Sequence, residues 1–336
     1  MIDEMMRKMT NDRRNSQKHH YMPVFYLKQW LNKDGQICEY KRLANGAVKP
    51  RRTHPSGTGY VRGLYDFVGL EDPELREAFE REFLKPVDTR AAELLQDINA
   101  GRRAMNNPEK RSAWTRFLLS LLMRMPEDIK LHKERYIQNW LKPNPDRRKY
   151  YKSRVWRPGM PQRLDDVLAA MDLQSIEHRA LDALIPLINN PRIGEVVISL
   201  HWGSLTLPVG APALLTSDRP ILLSDGLEDP NSHIILPIGP KQIFYAVKDK
   251  GVVNFMMVKP PTELAHIVNM AVVSQAVNYV YGQWDVQLPF VQQYMGTNQR
   301  PSLIERMQQY GSTQEAMEDL RRKARRRGVR LPARAG

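Results

Sequence analysis

The spacing of apolar residues changes once along this chain, and that change limits the folds open to it. Between Leu75 and Ile188 apolar side chains recur at intervals of three or four, whereas after Gly194 they fall into short runs and alternations. The first pattern lays a stripe along a helix and the second lays a face along a strand. Helices in one block and strands in another predict an α+β fold: an antiparallel sheet with a large helical block packed against it.

Local signals fill in this outline. Asp72-Pro73 supplies an N-cap and a proline at the first helical position, and Leu75, Phe79, Phe83, Val87, Ala91, Leu94 and Ile98 follow at helical spacing. Pro86 falls inside that pattern and predicts a kink or a break. Asn107-Pro108 opens a second helix, which Pro126 either kinks or ends in favour of a third. Upstream, Asn45-Gly46 between apolar-alternating segments predicts a hairpin with a primed turn, and residues 63–68 read as a third short strand. Residues 196–202, 212–216, 234–238 and 242–247 are strand candidates in an antiparallel meander, followed by a helix over residues 261–281. The expected organisation is a flexible leader (1–17), one α+β domain (18–285), and a C-terminal helix with a basic tail (286–336).

Charge is as uneven as periodicity. The formal net charge is +14, yet residues 102–163 carry a net +12, residues 321–336 a net +8, and residues 164–320 a net −8. Two basic segments on a near-neutral to acidic body are the footprint of a polyanion partner, nucleic acid above all, or else of solvated surface. Within 142–163, four prolines and the basic run Arg147-Arg148-Lys149 predict a loop that presents those three residues to such a partner. No apolar run approaches the ~18 residues of a membrane span, so no membrane partner is expected. Cys38 is the only cysteine, which excludes an intrachain disulfide and a cysteine-rich zinc site. With no apolar signal stretch at its start, the chain reads as soluble and cytoplasmic.

Chemistry is suggested in three places. Lys18-His19-His20-Tyr21-Met22-Pro23-Val24-Phe25-Tyr26-Leu27 sets titratable groups just ahead of an apolar anchor. Imidazole can move protons or ligate a metal near neutrality, and adjacent residues diverge, so one histidine serves any single site. The alternative is a histidine that only packs the leader onto the body. Thr216-Ser217-Asp218-Arg219-Pro220 ends an apolar run and sets Asp218 either at a sheet rim facing a ligand or in a turn that caps backbone amides. Asn269, polar amid Ile267, Val268, Ala271 and Val272, either bridges to a neighbouring loop or serves a site. There is no Walker loop, dinucleotide glycine fingerprint, Gly-x-Ser-x-Gly elbow or His-Glu-x-x-His.

The opening from His19 to Leu27 resembles the start of the bacterial domain-of-unknown-function family 4238, which begins with a His-Tyr-Val-Pro-x-Phe-Tyr-Leu-like motif. Gly63-Leu64-Tyr65, Arg124-Met125-Pro126, Thr216 to Pro220, Leu236 to Pro240, Asn269 and Tyr279-Val280-Tyr281 resemble later segments of that family in the same order. Met22 stands where valine is usual and Arg219 where asparagine is common. The resemblance covers roughly residues 18–282 and brings a candidate site without roles or activity.

Taken together, His19, His20, Asp218 and Arg124 are catalytic candidates, and Tyr21, Tyr26, Asn269, Arg147, Arg148 and Lys149 are substrate-binding candidates. The first reading is an enzyme acting on a phosphate-bearing polymer, most simply a nuclease. In it His19 or His20 is general acid/base or metal ligand, a divalent metal being compatible with the set, and Arg124 stabilises phosphate charge. The alternatives are a non-catalytic nucleic-acid-binding protein and a protein-interaction module.

Overall fold

The computed structural model describes residues 17–67, 70, 72–142, 145–153, 159, 161–170, 173–224, 226, 229 and 231–309. The basic tail and nearly all of the expected leader lie outside these residues. In chain order the first elements are β1 (Lys18–His20), the helical turn α1 (Val24–Leu27), β2 (Ile37–Arg42), β3 (Val48–Thr53) and β4 (Tyr60–Arg62). The helical block comprises α2 (Pro73–Arg76), a π-helical segment (Phe79–Leu84), α3 (Lys85–Asn99), α4 (Pro108–Leu121), α5 (Pro126–Leu141), α6 (Pro145–Ser153), α7 (Leu164–Ala170), α8 (Leu173–Asp182), α9 (Leu184–Ile188) and α10 (Pro191–Ser199). Then come β5 (His201–Thr206), β6 (Thr216–Ser217), β7 (Leu222–Leu223), β8 (His233–Gly239), β9 (Gln242–Val247), α11 (Gly251–Val258), α12 (Pro261–Ser274), β10 (Tyr279–Gly282), α13 (Leu288–Tyr294) and α14 (Leu303–Gln309). The fold is α+β, and every strand pair among the described residues is antiparallel.

Among the described residues the strands make three small sheets: β1-β4, β3-β2-β10-β6 and β5-β9-β8-β7. A hydrophobic centre joins Tyr21, Met22, Tyr26 and Leu27 of the opening decapeptide and Trp30 to Trp114, Phe117 and Leu121 of α4 and to Leu236, Ile238 and Phe244 of the third sheet. The Trp30 indole donates to the Leu214 carbonyl at 2.8 Å, which anchors this segment to the sheets. A second centre lies around β2, where Cys38 and Tyr40 are buried with Leu215, Val273, Val280, Val291 and Met295. The burial of Val291 and Met295 carries the first unit of the chain past residue 285, to Arg300, and a second unit begins at Pro301. Among the described residues no helix is long and apolar enough to cross a membrane.

Several elements differ from the sequence expectation. The β2–β3 hairpin forms, but only Gly46 has positive φ, at 81°. The Gly46 amide donates to the Leu43 carbonyl and the Leu43 amide to Ala47, so a three-residue loop closes on a left-handed glycine instead of a two-residue primed turn. The short strand expected at 63–68 sits earlier, at Tyr60–Arg62; Gly63 begins a turn, and Val68 lies outside the described residues. Within 142–163 the expected loop contains α6, whose start carries Pro145 and Asp146 and whose Arg148 is paired with Asp165 at 2.8 Å. Residues 196–199 belong to a helix rather than a strand. The Asn190 side chain accepts from the Ile193 amide with Pro191 at the first position, and Arg111 donates to the carbonyls of Ile198 and Leu200, so both ends are capped. Of residues 212–216 only Thr216 lies in a strand, and α12 stops at Ser274, after which Tyr279–Gly282 is a strand.

Candidate functional site

A cleft of about 790 Å³ opens between β1 and the helical stretch that runs from the π segment into α3. Its walls include Lys18, His19, His20, Glu80, Lys85 and Asp88. On an uninterrupted α-helix, positions eight apart are separated by roughly 80° around the axis. The π segment Phe79–Leu84 takes one extra residue into its turn, which returns Glu80 to the side of Asp88. Pro86, at the start of α3, is the proline behind this irregularity.

The two carboxyls of that wall have different surroundings. Asp88 is held by both terminal nitrogens of the Arg124 guanidinium, at 3.0 to 3.1 Å. Arg124 is 2% exposed while a fifth of the Asp88 side chain faces out, so the arginine is the floor and the aspartate the surface. Burial raises the Asp88 pKa and the guanidinium opposes that rise. Glu80 has no such partner. Its Oε2 is buried and makes no hydrogen bond among the described residues, and burial, reinforced by the charge of Asp88, pushes its carboxyl up to about 7. Environments that separate the proton affinities of two neighbouring carboxyls are what acid–base work needs.

Tyr65 connects this pair to His19. Its ring stacks on the imidazole at 5.5 Å, its amide donates to His19 Nδ1 at 3.0 Å, and its hydroxyl donates to the Arg124 carbonyl at 3.0 Å. Because Nδ1 accepts, the His19 proton sits on Nε2, which faces Asp66 Oδ1 at 3.5 Å. Burial lowers the His19 pKa despite Asp66, so the ring is neutral near neutral pH, and at 1% exposure it works mainly as a tie between β1 and the turn at Tyr65. His20 points to the other side of the strand, beside Tyr60, with Nε2 at 3.4 Å from the Ser56 carbonyl. It is half-buried, burial lowers its pKa, and like His19 it lines the cleft.

The other candidates lie elsewhere. Tyr26 is fully buried, donates to the Pro237 carbonyl at 2.7 Å and bonds the Thr216 hydroxyl at 2.7 Å. Asn269 accepts from the Leu215 amide and donates to the Ala213 carbonyl, so it bridges α12 to the segment before β6. Asp218 accepts the amides of Val277, Asn278 and Tyr279 and fastens the start of β10; burial pushes its carboxyl up to about 6 against the pull of those three bonds. Tyr21 is buried on the Asp218 side, where loss of water raises its hydroxyl pKa. Arg147, Arg148 and Lys149 lie on α6, and neither Arg148 nor Lys149 lines the cleft. The structure thus gathers His19, His20 and Arg124 and leaves Asp218, Tyr26 and Asn269 in the joints between helix and sheet.

Glu80, Asp88 and Asp66 did not stand out in the sequence. One signal was available: Leu84 at the end of the π segment and Val87, Ala91, Leu94, Leu95 and Ile98 of α3 form a buried stripe, and Asp88 falls inside it. A carboxylate on a core-facing stripe requires a partner, and Arg124 is that partner. Among the described residues no three His, Cys, Asp or Glu side chains are placed to hold a metal ion.

The family model described as "Protein of unknown function (DUF4238)" matches residues 18–285. No curated protein and no solved structure shows significant similarity to the chain. The matched residues run from β1 to the loop after β10 and include every side chain of the cleft wall except Gln17, so this chain, together with its candidate site, belongs to the DUF4238 family.

Proposed function

We propose that the protein is a hydrolase acting on a phosphate-bearing polymer, with the cleft between β1 and α3 as its active site. The observation that carries this reading is Glu80, an unpartnered carboxyl in a cleft wall with its pKa pushed up to about 7. A carboxyl with this value is about half protonated at neutral pH and can hand its proton to a leaving oxygen. His20, neutral because burial lowers its pKa, takes the proton of the attacking water as the phosphorus–oxygen bond breaks. Solvent exchange then restores both groups. Arg81 and Lys85 at the rim offset the charge of the phosphate, a role that Arg124, committed to Asp88, does not fill. A nucleic acid is the substrate in keeping with this chemistry, and it fits a cytoplasmic setting.

The test is cleavage of end-labelled RNA and DNA by the full chain, with and without divalent cations, beside Glu80→Gln. A general acid contributes about 10²–10⁴-fold, so the variant should lose at least two orders of magnitude in rate. Undiminished cleavage by Glu80→Gln, or none by the wild type on any polymer tested, would overturn the proposal. A non-catalytic nucleic-acid-binding protein is the second reading. It is favoured by the exposed lysines Lys149 and Lys152 on α6, outside the cleft, and it calls for binding without turnover.

A further inference from the structure

Like charges directly opposite on paired strands repel, and folded proteins place them there at a cost. Among the described residues this chain does so twice. In the β1–β4 pair Lys18 stands opposite Arg62, and in the β2–β3 pair Lys41 stands opposite Lys49; all four side chains are exposed. Each rung has a tyrosine beneath it. The Lys18 ammonium lies 4.5 Å from the centre of the Tyr60 ring, and the Lys41 ammonium 5.8 Å from that of Tyr279, which is the cross-strand neighbour of Lys41 on β10. Both rings are half-buried, and the Tyr279 ring also stacks on that of Tyr281 at 6.2 Å.

The two rungs lie in sheets joined by one loop. The loop between β3 and β4 ties the sheets together: the Thr58 hydroxyl donates to Glu39 of β2, and the Gly59 carbonyl accepts from the Met22 amide next to β1 at 3.0 Å. Arg51, paired with Glu39 at 3.1 Å, adds a further exposed guanidinium on β3, two residues from Lys49. The nearer rung ends at the cleft, because Lys18 and His20 belong both to the β1 face and to the cleft wall.

We infer that this face, from Lys49 and Lys41 across to Arg62 and Lys18, is a docking track for single-stranded nucleic acid that leads into the cleft. Pairs of exposed cations on strands match a phosphate backbone, and half-buried tyrosines beside them suit unstacked bases, which a duplex or an acidic protein does not offer. The inference rests on the hydrolase reading for what happens at the end of the track, while the track itself needs only binding. It differs from attraction by the basic segments 102–163 and 321–336, because the four cations lie on strands outside both.

The experiment is fluorescence anisotropy of a labelled single-stranded oligonucleotide of about 20 nucleotides, long enough to span several phosphate contacts. The full chain, Lys41→Gln with Lys49→Gln, Lys18→Gln with Arg62→Gln, and a chain ending at Gln309 are each titrated from low to high salt. Each double variant should weaken binding about tenfold at low salt and lower the slope of log K against log salt by about 1.4, two phosphates' worth on a single strand. The exposed positions make loss of folding separable by circular dichroism of the same samples. Unchanged affinity in both double variants, no binding by the wild type at low salt, tighter binding to duplex, or equal binding to polyglutamate would each overturn the inference. Binding that depends on the two rungs without any cleavage would overturn the hydrolase reading and leave the track standing. Cleavage with rung-independent binding would do the reverse.

Discussion

Glu80 holds its proton at a pH where a surface glutamate has lost it, and that preference reaches into folding. With a folded value of about 7 against an ordinary 4.5, the native state binds this proton more tightly than the unfolded chain between those pH values. Stability therefore falls as pH rises through that window, by roughly 3 kcal/mol at most, and Glu80 costs nothing below it. Glu80→Gln keeps the shape and removes the titration. Thermal melts of the two proteins should coincide near pH 4 and separate by pH 8 with the variant the more stable; parallel curves across the range would show that Glu80 meets water or a cation in solution. His19 illustrates the opposite arrangement. Its Nδ1 is occupied by the Tyr65 amide and its Nε2 faces Asp66, so the residue that looked most chemical in the sequence is largely spent on holding β1 in place.

At the scale of elements, the π segment Phe79–Leu84 decides which side chains meet. Deleting Glu82, an exposed residue within it, should let the turn close as an ordinary helix and swing Glu80 about 100° away from Asp88. The expected outcome is an unchanged far-ultraviolet circular dichroism spectrum with cleavage reduced to the level of Glu80→Gln; retained cleavage would mean that the register of the two carboxyls is immaterial. The same scale shows what the sequence made legible. Asp72-Pro73, Asn107-Pro108, Pro126 and Pro261 mark helix starts because a proline, joined by a side-chain cap at the first two, acts locally, on the few amides around it. The β-branched residues 196–198 misled because strand propensity is weaker than two good caps and a partner helix, and Arg111, which caps that helix, comes from 87 residues away in the chain. Tyr279–Gly282 was hidden because its pairing partners, Lys41 to Cys38, come from the far end of the sequence.

Across the whole molecule, the candidate site divides along the same line. His19, His20 and Arg124 could be singled out as residues of unusual type in ordered motifs, whereas Glu80 and Asp88 look like two of many charges on a solvated helix until burial is known. Asp218 and Asn269 were legible as polar residues that need partners, and the partners proved to be backbone. Cys38 adds a property of the molecule as a whole. It is the only thiol, it is fully buried in β2 among residues drawn from β10, α12 and α13, and burial pushes its pKa up to about 11. A thiol so placed reacts with an external reagent only when the surrounding sheet comes apart. The wild-type chain thus carries its own clock for opening: at neutral pH a disulfide-exchanging dye should label it at a rate that rises with urea as steeply as equilibrium unfolding does. A rate independent of urea would mean that β2 is uncovered by a local motion, without loss of the rest.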